Sequence, residues 1–406
     1  MPIVRQLCGG IASARETPIG ECSALRQIAD AIVNENAAGA HQIYPDSLER
    51  ILSQHGYAAA FAEISGWPGY KPTPLFPLSA LARELGFGDI HYKDEAGRFG
   101  LGSFKALGGA YAVSRVLARE LNRRGIAQSA TSAELASGRY GEAVRDITVT
   151  SATDGNHGRS VAWGARLFGC RAVIFIHETV SEGRREAIAR HGAQVVRVPG
   201  HYDDAVRHAF ANAEKHGWHV VQDTALGDYL QTPTEITYGY GVIAQEILDT
   251  LDDPPSHVIV QAGVGGVASA ICARFWQAWG PRRPRFVVLE PTRAACVAAS
   301  LAAGRRTTLT GNVDSIMAGL SCGEVSELAW EVLAIGANGA IVIDDELAVQ
   351  GMRRLAEPLG ADPPIVGGEC SGGAIGALMA LARNRDLAAR LGVDGASRIL
   401  VIGTEG

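Results

Sequence analysis

The stretch "LGSFKALGG", residues 101–109, sets one lysine among glycines and apolar residues. Lysine is scarce here: the chain holds four, Lys71, Lys93, Lys105 and Lys215, against 33 arginines. A surface that needs positive charge in this protein uses arginine, so the lysines form a short list for covalent chemistry at an amine. Lys105 stands where a helix should begin, after the strand-like run "HYKDE" and a glycine-rich loop. A cation at a helix N-terminus opposes the helix dipole. The placement is reasonable if the amine is bound as an imine, or is kept neutral to act as a base. Lys71 lies in a proline-rich stretch, Lys93 in a strand among charged neighbours and Lys215 on a polar helix end; all three look ordinary.

Two further stretches carry chemistry. In "VIVQAGVGGVASAI" a β-branched run ends at a turn holding Gly263, Gly265 and Gly266, which opens a helix. Glycines let the backbone approach a ligand, and the unpaired N–H groups of a helix start suit a phosphate. The spacing is neither that of a Walker loop nor that of a dinucleotide-binding turn, and a tight turn needed for packing accounts equally well for the isolated motif. In "TSATDGNHGRSVAWGARLFG", Thr153, Asp154 and Asn156 sit where a strand meets a helix, the end of a parallel strand that lines a ligand crevice. Helix capping explains one of them but not the set. His157 reads as a structural histidine. Lysine, glycine turn and crevice polar groups together imply pyridoxal phosphate. That cofactor needs an amine for its aldehyde, an anion site for its phosphate and a hydrogen bond to its ring oxygen.

The elements that must position these residues alternate. Strands are expected at "DIHYKDE", "DITVTSA", "RAVIFIHET", "AQVVRVP", "WHVVQDT", "SHVIVQAG", "RFVVLEP", "AIVIDDE" and "SRILVIG", with helices between them. Short β-branched runs separated by helices predict parallel sheets covered on both faces. Before them come a helix around "YPDSLERILSQHG" and a surface-wrapping stretch, "GWPGYKPTPLFPL"; after Asp223 an irregular segment, "ALGDYLQTPTEITYGYG", precedes a long helix. The chain of 406 residues suggests two domains. The expected division is a large cofactor-binding domain, 1–109 with 226–406, and a small α/β domain, 110–225. A net charge of −6 argues against a nucleic-acid partner, and no apolar run is long enough to span a bilayer. Seven irregularly spaced cysteines fit a reducing cytoplasm, and no metal site is expected.

Through "KDEAGRFGLGSFKALGG", "SATDGNHGRSVAWGARLFG", "VVQDTALGDY", "AGVGGVA", "VLEPTRAAC", "IMAGLSCGE" and "GTEG", the chain resembles the tryptophan-synthase-β-like, fold type II pyridoxal phosphate enzymes. Within them it is most similar to the diaminopropionate ammonia-lyase group. The resemblance implies two three-layer α/β domains with mainly parallel sheets and the active site in the cleft between them. It makes Lys105 the Schiff-base lysine and adds Phe104 beside it to the cofactor-binding set. Asn156 would bond the ring oxygen, Gly263, Val264, Gly265, Gly266 and Val267 would cradle the phosphate, and Thr404 would offer a neutral hydroxyl to the pyridine nitrogen. Asp154 and Asp223 become catalytic candidates, as bases or as partners of a substrate β-ammonium. Without the resemblance, Asp223 reads as a cap or loop residue. The loop "GGECSGGAIG", with Glu369 and Ser371, is longer than the family's "GESGAVG", and Gly102 and Ser103 stand where an Asn-Ala pair is usual.

The implied activity is elimination of ammonia from D- or L-2,3-diaminopropionate through aminoacrylate to pyruvate, by a homodimer. Rival readings are a serine/threonine or hydroxyaspartate ammonia-lyase of the same fold, a nucleotide-binding dehydrogenase using the GVGG turn, and a noncatalytic amino-acid sensor. Borohydride treatment of the yellow protein should fix the cofactor to the peptide containing Lys105. Labelling at Lys71, Lys93 or Lys215 would overturn that assignment.

Overall fold

The computed structural model describes residues 29–39, 42–153, 155–225 and 227–406. Among these residues the strands assemble into two sheets. The larger contains β1 (Ala29–Val33), β2 (Leu75–Pro77), β3 (Asp89–Asp94), β8 (His257–Gln261), β9 (Arg285–Pro291), β10 (Gly339–Ile343) and β11 (Arg398–Gly403), in the order β1-β10-β9-β8-β11-β3-β2. The smaller contains β4 (Thr148–Ala152), β5 (Arg171–His177), β6 (Gln194–Val198) and β7 (His219–Val220), in the order β6-β5-β4-β7. All pairs of the smaller sheet are parallel, as are the central pairs of the larger one; the edge strands β1 and β2 run antiparallel. The predicted pattern of two mainly parallel α/β sheets holds.

The burial of alternate residues shows why. Along β11, Leu400 and Ile402 join one buried cluster while Ile399 and Val401 join another, and β9 divides the same way. Side chains alternate across a strand, so both faces of the sheet are covered, and the strands are apolar throughout. In the smaller sheet Ile174 and Ile176 face the first cluster, Val173 and Phe175 a third. The helices that matter to the site are α1 (Lys105–Arg123), α2 (Asn156–Phe168), α3 (Gln231–Leu248), α4 (Gly266–Trp279) and α5 (Glu369–Arg383). None of the described helices is long and apolar enough to cross a membrane.

Three elements differ from expectation, each for a local reason. The helix expected over "YPDSLERILSQHG" is two helices, Asp46–Glu49 and Gln54–Ile64, because the Ser53 hydroxyl accepts the Gly56 N–H and starts the second. The proline-rich stretch contains β2, which tolerates its proline because it lies at a sheet edge. The segment after Asp223 is helical from Gln231, with Pro233 in the first turn, where its missing N–H costs no intrahelical bond.

Lys93 also differs. It is 1% exposed, and its Nζ donates to Glu246 Oε2 at 2.6 Å and to the Thr73 carbonyl at 2.8 Å. Arg98, equally buried, donates to Glu246 at 2.6 and 2.9 Å and twice to Glu95 at 2.8 Å. The Tyr70 hydroxyl donates to Glu246, and the Thr73 hydroxyl to Glu95. Two cations thus balance two carboxylates, and Glu95 and Arg98 belong to the loop that runs from β3 to Lys105. Phe99, in the same loop, has a left-handed φ of 50°, and its ring packs on Trp163, Trp67 and Tyr70 at centroid distances of 4.9, 5.8 and 6.3 Å. Glu246→Gln leaves two buried cations facing one carboxylate and should cost on the order of 3–5 kcal/mol of unfolding free energy. Denaturant titration checks this; a loss under about 1 kcal/mol would contradict a structural role for the network.

Candidate active site

In the larger sheet β8, β11 and β3 lie side by side and parallel, so the residues that follow them emerge together. After β3 comes the loop to Lys105, after β11 comes Thr404, and after β8 come Gly263–Val267. In the smaller sheet β4 leads to Thr153 and α2, and β7 leads to Asp223. Carboxyl ends of parallel strands form the ligand crevice of such sheets. The C-terminal residues run along the lysine loop: Phe104 N donates to Thr404 O at 3.1 Å, Gly406 N to Gly102 O at 3.0 Å, and Ser103 bridges Glu405. Helix α1 approaches α3 closely at Gly108, where a Cβ would lie 2.4 Å from the Tyr240 ring and 2.8 Å from the Ile236 carbonyl. Phe104 and Tyr240 pack edge to face at 4.8 Å, and Lys105 Nζ lies 5.6 and 5.8 Å from their ring centroids.

Lys105, the first residue of α1, meets Asp223: Nζ donates to Oδ2 at 2.6 Å, with the side chains 21% and 13% exposed. Burial by itself would raise the Asp223 carboxyl; the charges of Lys105 and His157 outweigh it and hold the group well below the usual carboxylate range. His157 behaves as the structural histidine expected, with Nε2 bonded to the Val221 carbonyl at 2.8 Å, yet its Nδ1 also faces Asp223 Oδ2 at 3.8 Å. Asp223 is therefore no cap; it is the counter-ion of the lysine.

The glycine turn is built for close approach. Gly265 has a φ of +92°, and a Cβ there would lie 2.9 Å from Ala329; one at Gly263 would lie 2.7 Å from the Gly319 carbonyl and 3.0 Å from Cys322 Sγ. Gly266 opens α4, Val264 O accepts from Ser326 N at 2.9 Å, and Val267 is buried. The Ser326 hydroxyl in turn accepts from Ala225 N at 3.1 Å, which ties the turn to the segment after Asp223. Thr404 is 3% exposed, and its hydroxyl has no hydrogen-bond partner among the described residues. Asn156 begins α2; its Nδ2 donates to Glu405 Oε2 at 2.7 Å and its Oδ1 accepts from Arg159 at 2.6 Å. Asp154 lies outside the described residues.

An amine, a turn of backbone N–H groups at a helix start, an amide and a buried hydroxyl left for a neutral acceptor fit pyridoxal phosphate. A family model described as "Pyridoxal-phosphate dependent enzyme" matches residues 66–405. The chain belongs to this family. It is 40% identical over 349 residues to a diaminopropionate ammonia-lyase of Salmonella typhimurium, covering 84% of this chain and 86% of that one. Among solved structures it is similar to holo diaminopropionate ammonia lyase from Escherichia coli, with a TM-score of 0.85, 34% identity and 95% of each chain covered. The same enzyme in complex with an aminoacrylate-PLP azomethine reaction intermediate superposes with a TM-score of 0.83, at 34% identity and 95% coverage of each chain. This chain is thus a pyridoxal-phosphate-dependent enzyme with the fold type II architecture.

Sequence reasoning passed over Tyr240, Arg159 and Glu405. Tyr240 stands in "ITYGYG", a segment expected to be irregular, and Arg159 is one of 33 arginines with no local motif to mark it. Glu405 lay within the quoted "GTEG". The distinguishing signal there was an acidic residue next to the threonine that the resemblance assigns to the cofactor.

The Lys105–Asp223 pair has a pH signature. In Lys105→Met, burial at Asp223 is opposed only by the His157 charge and a backbone hydrogen bond, so the carboxyl should rise above its unfolded value of about 3.9. A raised carboxyl contributes stability below the unfolded pKa and loses it as pH rises through the folded one. Melting midpoints of Lys105→Met and Lys105→Met/Asp223→Asn apoproteins, compared between about pH 4 and pH 8, should therefore diverge as pH rises, with the double variant the more stable at the alkaline end. A pH-independent gap would show that Lys105 does not set the Asp223 charge.

Proposed function

We propose that this chain is a diaminopropionate ammonia-lyase, which eliminates ammonia from 2,3-diaminopropionate through aminoacrylate and yields pyruvate and a second ammonia after hydrolysis. The reading rests on the Asp223 carboxylate 2.6 Å from the Lys105 amine. The site's other polar groups suit the cofactor, which leaves this carboxylate for a substrate that carries a second, cationic amine. The relatives named as diaminopropionate ammonia-lyases support the same substrate.

Lys105 would hold the cofactor aldehyde, Gly263–Val267 its phosphate, Asn156 its ring oxygen and Thr404 its pyridine nitrogen, with Phe104 against the lysine. When bound, the cofactor withdraws electrons from the substrate α-carbon and so acidifies its C–H. Lys105 Nζ, once released, accepts a proton on its own side of the cofactor. Asp154 is the candidate acceptor on the other side, and Asp223 orients the β-ammonium or serves as the reserve base. The Thr404 hydroxyl, being neutral, would leave the pyridine nitrogen less protonated, which suits elimination over transamination. The enzyme is read as a homodimer working in a reducing cytoplasm, on the family resemblance and on the free thiols of Cys170, Cys272, Cys296 and Cys370.

A panel of D- and L-diaminopropionate, serine, threonine and hydroxyaspartate, scored by 2-oxo-acid release, tests the substrate; faster turnover of a hydroxy amino acid would overturn it. Asp154→Asn keeps size and hydrogen bonding but removes basicity. It should lower kcat/KM for the D-enantiomer by about 10²–10⁴-fold and spare the L-enantiomer comparatively. Asp223→Asn, measured in parallel, reads the reserve base. Equal losses for both enantiomers in Asp154→Asn would make that residue a binding group and remove the two-base account.

A further inference from the structure

The Asn156 amide is held between two groups of opposite character. Its Nδ2 donates to Glu405 Oε2 at 2.7 Å, and its Oδ1 accepts from the Arg159 guanidinium at 2.6 Å. An amide has a donor end and an acceptor end of nearly equal size, so a lone asparagine can present either. A guanidinium can only donate, and a carboxylate only accepts. Between Arg159 and Glu405 the amide therefore has one satisfactory orientation. In it one Nδ2–H goes to Glu405 and the second remains for another acceptor.

Glu405 is itself fixed. Its backbone N–H donates to Ser371 Oγ at 3.0 Å, while its carbonyl accepts from the Ser371 hydroxyl at 2.6 Å and from Gly368 N at 2.9 Å. Its Oε1 accepts from Cys370 N, in the first turn of α5, at 3.3 Å. The stretch expected to be an extended loop, "GGECSGG", is helical from Glu369, and Gly368 with the first turn of α5 anchors the carboxylate from the larger sheet's side. Arg159 rises from α2 and lies over the lysine loop, where a Cβ at Gly102 would come within 3.4 Å of its guanidinium.

We propose that Glu405 is a positioning residue: with Arg159 it fixes the Asn156 amide so that an N–H, and not the carbonyl oxygen, is offered to the ring oxygen of the cofactor. The proposal rests on the reading of Asn156 as the residue that meets that oxygen. Glu405 acts through Asn156 and touches neither cofactor nor substrate. Glutamine at 405 can present either end of its own amide, which removes the preference while keeping the shape.

The test is the visible absorbance of the resting holoenzyme together with cofactor Kd, measured by equilibrium dialysis, for Asn156→Ala, Glu405→Gln and the double variant. Loss of a hydrogen bond to a charged oxygen should weaken cofactor binding on the order of ten- to a hundred-fold in Asn156→Ala. Glu405→Gln should shift the absorbance band in the same direction by a smaller amount, weaken binding several-fold, and add nothing once Asn156 is already alanine. Arg159→Met, which frees the other end of the amide, should shift the band the same way, and it decides the matter if Glu405→Gln does not fold. A band that moves in Asn156→Ala but stays put in Glu405→Gln, or in Arg159→Met when that variant must serve alone, overturns the positioning role. An unshifted Asn156→Ala overturns the reading of Asn156 beneath it, and the proposal falls with it. Additive effects in the double variant would place Glu405 on a separate path and equally sink it.

Discussion

The site depends on the side-by-side, parallel pairing of β8, β11 and β3. Parallel strands release their chain at the same edge, so three segments far apart in sequence surface on neighbouring strands about 4.8 Å apart. The register aligns Gly403 with Asp94, which places Thr404 beside the start of the lysine loop. Gly403 is needed for this alignment, since a Cβ there would fall 2.0 Å from the Tyr92 hydroxyl. The smaller sheet obeys the same rule and contributes Asn156 and Asp223 from the ends of β4 and β7. Lys105, the glycine turn and Thr404 follow strands of the larger sheet, and the groups opposite them follow strands of the smaller one.

Two lysines illustrate how surroundings decide what an amine can do. Lys93 is locked among Glu246, the Thr73 carbonyl and the charges of Arg98 and Glu95, and losing its proton would unbalance them all. Lys105 has one carboxylate beside it, two aromatic rings and partial access to solvent. Giving up its charge there raises the Asp223 carboxyl and also bears on the Tyr240 hydroxyl. A single reversible pairing suits a group that must change state; a saturated network suits a group that must not.

The parallel core was legible because strands buried on both faces are written as uninterrupted β-branched runs. The lysine and the glycine turn were legible because their residue types are unusual for their places. The short edge strands β1 and β2 were not, since a few residues with one covered edge leave little pattern. The burial of Lys93 was not legible, because its decisive partner, Glu246, stands 153 residues away. The Asn156–Glu405 bond, across 249 residues, was hidden for the same reason. Asp223 was ambiguous alone, and its role as counter-ion emerges only once the two sheets are brought together.

Phe99 carries a consequence for how the lysine loop keeps its shape. A left-handed backbone at a phenylalanine costs on the order of 1–3 kcal/mol, and the rings of Trp67, Tyr70 and Trp163 are what compensate. Trp67 and Tyr70 precede the larger sheet's β2, whereas Trp163 belongs to α2, which follows β4 of the smaller sheet. The backbone of the lysine loop is thus held in its shape by rings from two distant stretches of chain, and the packing of α2 against that loop bears on where Lys105 sits.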